Sequence, residues 1–495
     1  NQRSKYLRPG IVIARQIYKK WTLAARWEVE KNERFAPVTD SLLASSFSFR
    51  TTAASLQYTT GDRQNLRMEW KRRTDDAASG KTFSDWSTSD EWTLASAINS
   101  IRTGLWDLQM TARHLQFTRS EINDSLGRIS FIGQLDHSLS RFRNGLRIKN
   151  IYALQSGAEP RTEFVYEERR PGDGDYIYID FNHDGIRQIQ EYVYAPEIDT
   201  ARYVRIQLFN STYVQAYQST WSSVLGVDMG RVLADKKNFT TLKKFSFESL
   251  LRFISKINED APLAARFDPV GFRDQTGRLI SYQKSINEQL FFNRANPNYE
   301  LGLNYLNQAS KILLLSGIET RDRRDLNLKT RWSLRSKIDC LATLGIQQDQ
   351  RLTNSYSQQN YRIASRTSDL SATWRINRDM RTQWGWKWRQ SAEQDNLHEK
   401  ALVHDLYTVS QLSFQRKASL RIEFKYIRID YSGTSGTAVE YVMLEGLKNG
   451  SNYTAEFILD YRFTKLISSQ FSYSLRKPSG SDAIQTGRAS IRANF

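Results

Sequence analysis

The chain of 495 residues is short of several things. It has one cysteine, Cys340, which excludes an internal disulfide and a cysteine-rich metal site. Cys340 alternates with Ile338 and Ala342, so a packed, inert thiol on one strand face is expected. The five histidines, His114, His137, His183, His398 and His404, form neither H-x3-H nor HExxH, which removes zinc hydrolysis. There is no phosphate-binding P-loop, no G-x-G-x-x-G and no G-x-S-x-G elbow; Gly433-Thr434-Ser435-Gly436 lacks the last glycine at the right spacing. Adjacent carboxylates such as Glu167 and Glu168 point to opposite faces of a strand and cannot act together. No catalytic set can be assembled, and a non-enzyme is expected. No motif recurs at a period of about 20–50 residues, which argues against a solenoid or propeller. Nor is there a run of about eighteen apolar residues, so no transmembrane helix is expected. The sequence opens at Asn1 without a methionine or a signal peptide, and is read as processed or as the back part of a longer protein.

What is present points another way. Hydrophobic residues make up only 39%, yet aromatics reach 12%. Few aliphatic runs with many Tyr, Phe and Trp suit a thin apolar outer face over a polar inner one. The net charge of +18 would suggest nucleic acid. Lys and Arg are spread over alternating positions, however, and a basic lumen plus basic loops facing lipopolysaccharide phosphates explain them better.

The last ten residues show the pattern most plainly. Gly487, Ala489, Ile491, Ala493 and Phe495 carry no polar side chain, and Arg488, Ser490, Arg492 and Asn494 between them are polar. Period two is the strand period. A strand that ends the chain on an aromatic residue resembles the closing strand of Gram-negative outer-membrane β-barrels. Earlier segments repeat the alternation. Tyr453, Ala455, Phe457, Leu459, Tyr461 and Phe463 share one face of 452–463. Ile467, Phe471, Tyr473 and Leu475 share one face of 466–476. Trp384, Trp386 and Trp388 form a stripe expected to face lipid, with Gln383, Lys387 and Arg389 facing inward. Arg421, Glu423, Lys425, Glu456, Asp460 and Arg462 would bring both signs to the inner face, as cross-strand ion pairs or as a selective constriction.

Strands are also expected at 11–17, 21–30, 42–50, 53–59, 65–71, 92–98, 105–115, 129–135 and 146–154, with a polar loop at 74–90. Further on they are expected at 280–292, 299–306, 309–318, 325–334, 338–347, 362–376, 381–391, 404–415 and 418–430. Short links at 335–337, 377–380, 416–417 and 464–465 alternate with long ones at 319–324, 348–361, 392–403, 431–451 and 477–484. Outer-membrane barrels have short periplasmic turns and long outer loops, so the alternation supports the resemblance. The reading is an all-β transmembrane antiparallel β-barrel of about 20–24 strands. Barrel strands fill 1–154 and 217–495, and an extracellular insertion occupies 155–216.

That insertion holds one sharp motif. Residues 180–191 match the calcium loop D-x-N-x-D-G-x5-E. Asp180, Asn182 and Asp184 offer oxygens at alternate positions, and Gly185 permits the turn. Ile186 offers its carbonyl, Gln188 stands where a water-linked ligand sits, and Glu191 can bind bidentately. The loop resembles that of EF-hands over these twelve residues. The flanks 175–179 and 192–196 read as extended, so a static calcium staple is expected rather than a sensor.

The stretch Tyr441 to Tyr453 and the final strands resemble large outer-membrane proteins of the Bacteroidota. The resemblance implies an outer-membrane location, with lipid and lipopolysaccharide as partners and envelope-complex subunits or lipoproteins as possible others. The expected function is a transport or secretion pore, alone or within such a complex. The alternatives are a structural or adhesive surface protein anchored by its barrel, and a soluble calcium-binding β-rich protein.

Overall fold

The computed structural model describes residues 3–493 except 38, 62, 101, 119–128, 182–183, 196–199, 259–260, 272–277, 295, 315–316, 335–336, 354–358, 396–398, 415–416 and 465. Its 24 strands belong to a single sheet, and every pairing whose register is resolved is antiparallel. The fold class is the one the alternation implies: all-β, with the strand number of a large outer-membrane barrel. The chain divides into two compact units, residues 1–160, 212–226 and 251–282 in the first and 161–211, 227–250 and 283–495 in the second.

In the first unit, β1 (Ser4–Leu7) and β2 (Gly10–Tyr18) both pair with β3 (Trp21–Arg34). Pro9, which has no N–H to give a ladder, lies between them. A meander follows through β4 (Phe47–Thr60), β5 (Gln64–Ser79), β6 (Thr82–Ser100), β7 (Gly104–Phe117), β8 (Ile129–Arg141) and β9 (Leu146–Glu168). Leu23, Leu56, Met68, Leu94 and Met110 stand in one cross-strand row. The neighbouring polar row of the other face includes Lys71 and Glu91, whose charges meet at 2.6 Å.

The segment expected as a polar loop at 74–90 is not one. β5 and β6 run through it and turn near Gly80, with a bulge at Asp75/Asp76. Polar side chains stand on both faces here, with Ser87 and Ser89 buried on one of them, so no apolar period marks the segment while backbone pairing continues.

Between the meanders lie β10 (Tyr176–Tyr178), β11 (Tyr192–Tyr194), β12 (Tyr203–Asp228), β13 (Phe245–Asn258) and β14 (Leu279–Phe292). Two four-residue helices, α1 (Met229–Val232) and α2 (Leu263–Arg266), sit in the links. The insertion expected over 155–216 is entered along β9, which runs to Glu168, and left along β12, which starts at Tyr203.

The second unit contains an unbroken meander. It consists of β15 (Tyr299–Leu314), β16 (Gly317–Leu334), β17 (Ile338–Thr353), β18 (Tyr361–Arg375) and β19 (Met380–Glu393). It continues in β20 (Lys400–Phe414), β21 (Ala418–Ser432), β22 (Gly450–Arg462), β23 (Ile467–Lys477) and β24 (Ile484–Ala493). Each strand pairs with the next along nearly its whole length.

Two expectations are corrected here. Segments 299–306 and 309–318 are not separate strands, because Asn307 and Gln308 stay in the ladder opposite Arg324 and Arg323. The link expected at 319–324 is part of β16, and the one at 348–361 shrinks because β17 runs on to Thr353. The short links at the other end stand where the spacing put them, after Leu334, Arg375, Phe414 and Arg462. Phe495 lies outside the described residues.

The two faces of this meander differ in chemistry. Leu412, Leu420, Leu459, Phe471 and Ala489 stand in one row. Leu344 and Ile346 on the same face are 52% and 60% exposed, so no second sheet covers them. Tyr453 to Tyr461 spans about 26 Å along its strand at ~3.3 Å per residue, close to the roughly 25 Å apolar band of outer-membrane barrels. At the short-link end, Trp332, Trp374, Phe414 and Phe463 are all exposed. Amphipathic aromatic rings collect where hydrocarbon meets headgroups.

The opposite face is polar. Arg421 and Lys425 hold Glu423 at 2.5 and 2.7 Å. These pairs run along one strand, while Glu456 stands directly opposite Glu423. Gly385 lies opposite Tyr407. A Cβ there would meet the Tyr407 ring at 2.1 Å, so glycine lets the ring lie over the ladder. Tyr407 then donates to Asp369 at 3.0 Å.

Candidate functional site

The calcium-motif loop is held by a small hairpin. Tyr176, Ile177 and Tyr178 of β10 pair with Tyr194, Val193 and Tyr192 of β11, so both flanks are extended. Tyr176 also meets Tyr203 of β12, which ties the hairpin to the sheet. Between the flanks the chain turns at Gly185, whose φ of +72° favours glycine. It ends in one 3-10 turn, Ile189–Glu191.

Three of the six expected ligands are brought together. Asp180, Asp184 and Glu191 each place a carboxylate oxygen within 4.8 Å of the others. Two oxygens bound to one calcium at about 2.4 Å lie at most about 4.8 Å apart, so the spacing fits that ion. Asp180 accepts from the Gly185 N–H at 3.0 Å, and Asp184 accepts from the Ile186 N–H at 2.7 Å. The Gln188 amide donates to Asp184 at 2.6 Å, and the Gln188 N–H donates to Glu191 at 3.1 Å. The Ile186 side chain is exposed. Asn182 lies outside the described residues.

Glu191 is only 2% exposed. Among the described residues no Lys or Arg stands within ion-pair distance of it. Carboxylates held this close repel one another unless a cation or a proton lies between them. Arg187 turns instead toward Glu168 at 3.5 Å and lies over the Tyr178 ring. Burial, together with the neighbouring Glu191 and Asp180 carboxylates, raises the Tyr178 phenol above its usual range.

Next to the loop, within the second unit, is a cavity of about 560 Å³. The hairpin supplies one wall, through Tyr176, Phe181, Ile189, Tyr192 and Tyr194. Phe164 and Tyr166 of β9 and Arg205 of β12 continue it. Tyr166 stacks on Tyr192 at 4.2 Å and 5°. The polar face of β16 to β18 supplies the other wall, with Glu319, Arg321, Arg351 and Tyr361. Arg321 and Arg351 stand opposite each other in the ladder. Both bind Glu319, at 2.5 and 3.1 Å. Arg205 lies over the Phe164 and Tyr176 rings at 4.5 and 5.6 Å.

A third element closes on the cavity. The long link 433–449 contains α3 (Ala438–Leu444), which folds back onto the polar face of the sheet. Val439, Met443 and Leu444 pack against Ile363, Ala401, Val403, Ile427 and Ile429. Each of these helix side chains contributes roughly 1.5–3 kcal/mol when fully buried. Arg389 donates to the Met443 carbonyl at 2.9 Å and pairs with Glu445. Tyr441 reaches the Tyr194 carbonyl at 3.4 Å, joining helix and hairpin.

The cavity and the helix were not legible as a site. Arg205, Arg321 and Arg351 come from three strands, and nothing local marks them as neighbours. The helix did have a signal, the Thr437-x-x-Glu440 capping box. Thr437 Oγ1 accepts from the Glu440 N–H at 3.1 Å, and Glu440 accepts from the Gly436 N–H at 2.6 Å.

No protein-family model matches the chain, and no curated protein matches it. Among solved structures the chain is similar to the FrpB iron transporter from Neisseria meningitidis (F3-3 variant), with 8% identity and a TM-score of 0.38 over 100% of this chain and 80% of that one. It is similar to the ferric-catecholate import receptor Fiu from E. coli K12 in its open form, with 10% identity and a TM-score of 0.35 over 99% and 79%. It is also similar to the outer membrane transporter YddB from Escherichia coli, with 8% identity and a TM-score of 0.34 over 99% and 74%. The overlaps are loose, and the fold class rests on the strand register and the uncovered apolar face. That register, that face and its interfacial aromatic row give the chain the fold class of an outer-membrane β-barrel.

Proposed function

We propose that the chain is a non-enzymatic transport barrel, passing a solute along the polar face of its sheet. The observation that supports this most is α3. A link at the long-link end folds inward, buries Met443 and Leu444, and presents Arg389 and Glu445 beside it. A barrel serving only as an anchor gains nothing from a helix packed on its polar face. In this reading the long-link end faces outward and α3 narrows the path, with charged side chains below it selecting solutes. Lipid and lipopolysaccharide surround the barrel. Secretion instead of uptake, and attachment to lipoproteins or other subunits of an envelope complex, extend the same reading.

The insertion has its own role in this reading. Calcium held by Asp180, Asp184 and Glu191, with Asn182, the Ile186 carbonyl and Gln188 completing the set, staples the hairpin over the outer end. When bound, the ion supplies charge neutralisation and cross-links the loop. An adhesive role for the stapled insertion is the second reading, and its ordered tyrosine hairpin favours it.

Planar-bilayer recordings of the full chain test the proposal. A stable current that rises when 434–447 is replaced by a short Gly-Ser link supports a path gated by α3. A chain that inserts and folds but carries no current with or without α3 refutes it and leaves the adhesive reading.

A further inference from the structure

We propose that the cavity between the tyrosine hairpin, β16 to β18 and α3 is a binding site for a small organic anion that also presents a flat ring face. This goes beyond transport, since a chain can bind such a ligand whether or not it conducts.

Charge is the first argument. Among the described residues lining the cavity, Glu319 is the one carboxylate against Arg205, Arg321 and Arg351. Arg321 and Arg351 oppose each other in the ladder with Glu319 already between them, so the cation left over at the cavity wall is Arg205. Glu319 meets both, and the described residues offer Arg205 no carboxylate at all.

Burial is the second. Arg351 is 8% exposed, yet its Nε has no hydrogen-bond partner among the described residues. Buried guanidinium N–H groups are nearly always satisfied. That Nε is itself shielded from the cavity, so an entering carboxylate or phosphate would meet the outer nitrogens of a guanidinium, which it could bind through two parallel bonds.

Shape and surface are the third. The rings of Phe164, Tyr166, Tyr176, Tyr192 and Tyr361 make walls for stacking, and the volume of about 560 Å³ lies in the range of small-molecule sites. Arg205, resting on Phe164 and Tyr176, is already positioned over the rings. A ring with an acid group matches both walls; it can be a uronate sugar or an aromatic carboxylate.

Calorimetry on the full chain, refolded in detergent with calcium present, tests this with three probes: digalacturonate, phthalate and neutral lactose. Dissociation below about 1 mM for either acid, with lactose at least about tenfold weaker, is expected. Digalacturonate alone binding assigns the saccharide source, phthalate alone the aromatic one, and both together the shared chemistry. Arg205→Ala should weaken the bound acid about tenfold or more, with Arg205→Lys recovering part of it. Arg205 is exposed and outside the ion pairs of the sheet, and near-UV circular dichroism verifies that each variant folds. The proposal is overturned if neither acid binds by about 10 mM, if lactose binds as well as the acids, or if Arg205→Ala leaves affinity unchanged.

Discussion

Arg488 on β24 and Asp173 in the insertion stand 3.2 Å apart although 315 residues separate them. Arg488 also donates to the Gly172 carbonyl at 3.1 Å. The base of the insertion is thus fastened to the last strand. The pair is more than half exposed on both sides, so its thermodynamic weight is about 0–1 kcal/mol. Arg488→Ala should therefore leave the global unfolding midpoint nearly unchanged. Limited proteolysis within 169–202 should become a few-fold faster, since local opening is governed by local contacts. An unchanged cleavage rate would separate the contact from the anchoring of the insertion.

The acidic loop offers a metal-dependent observable. Calcium at about a hundred times its dissociation constant should stabilise the insertion by roughly 2.7 kcal/mol. Protection of amides in 176–194 from hydrogen exchange should rise with calcium and fall with chelator. Glu191→Gln removes the buried carboxylate and should abolish that response while β15 to β24 keep their protection. Equal protection with and without calcium in the parent chain would rule out the staple.

The two faces of β17 predict opposite tolerances. Leu344 lies on the apolar face and Thr343 beside it on the polar one. Leu344→Arg should lower stability in vesicles by about 2–4 kcal/mol, as a charge near the bilayer midplane does. Thr343→Arg should stay within about 1 kcal/mol. Urea titrations of folding into lipid vesicles compare the two. Equal losses would mean that the exposed leucine row does not touch lipid.

Glu399 gives a pH dependence outside the strands. Burial raises its carboxyl above the usual range, with Glu393 and Glu440 adding to the rise, although the Tyr431 hydroxyl donates to it at 3.2 Å. The folded chain thus holds this proton more tightly than the unfolded one. The stability it contributes is complete below the ordinary carboxylate pKa and is lost as pH rises through the raised value. Exchange protection around 433–449 should fall as pH climbs from about 4 to 7. Glu399→Gln, which keeps a neutral side chain at every pH, should flatten that profile. A wild-type profile already flat would contradict the assignment.

How far residues alone reached depended on whether one face was greasy. Tyr453, Ala455, Phe457, Leu459 and Tyr461 alternate without a break, and β22 to β24 were readable to within a few residues. Thr74 to Asp90 carry mostly polar side chains on both faces, so no apolar period marks them, and strands passed for a loop. Asn307 and Gln308 look like a turn in isolation, yet partners on β16 keep them extended. At the site, Asp180, Asp184 and Glu191 were legible because one short loop carries them all. Arg205, Arg321 and Arg351 were not, because only the ladder makes neighbours of residues so far apart along the chain.

From β15 to β24 every strand is hydrogen-bonded to its predecessor in sequence. Assembly can then proceed hairpin by hairpin, each addition closing only a short stretch of chain at small entropic cost. The clasp of Arg488 on Asp173 follows a different schedule. It needs the final strand in place first, so the insertion is locked down only when the whole meander has been laid.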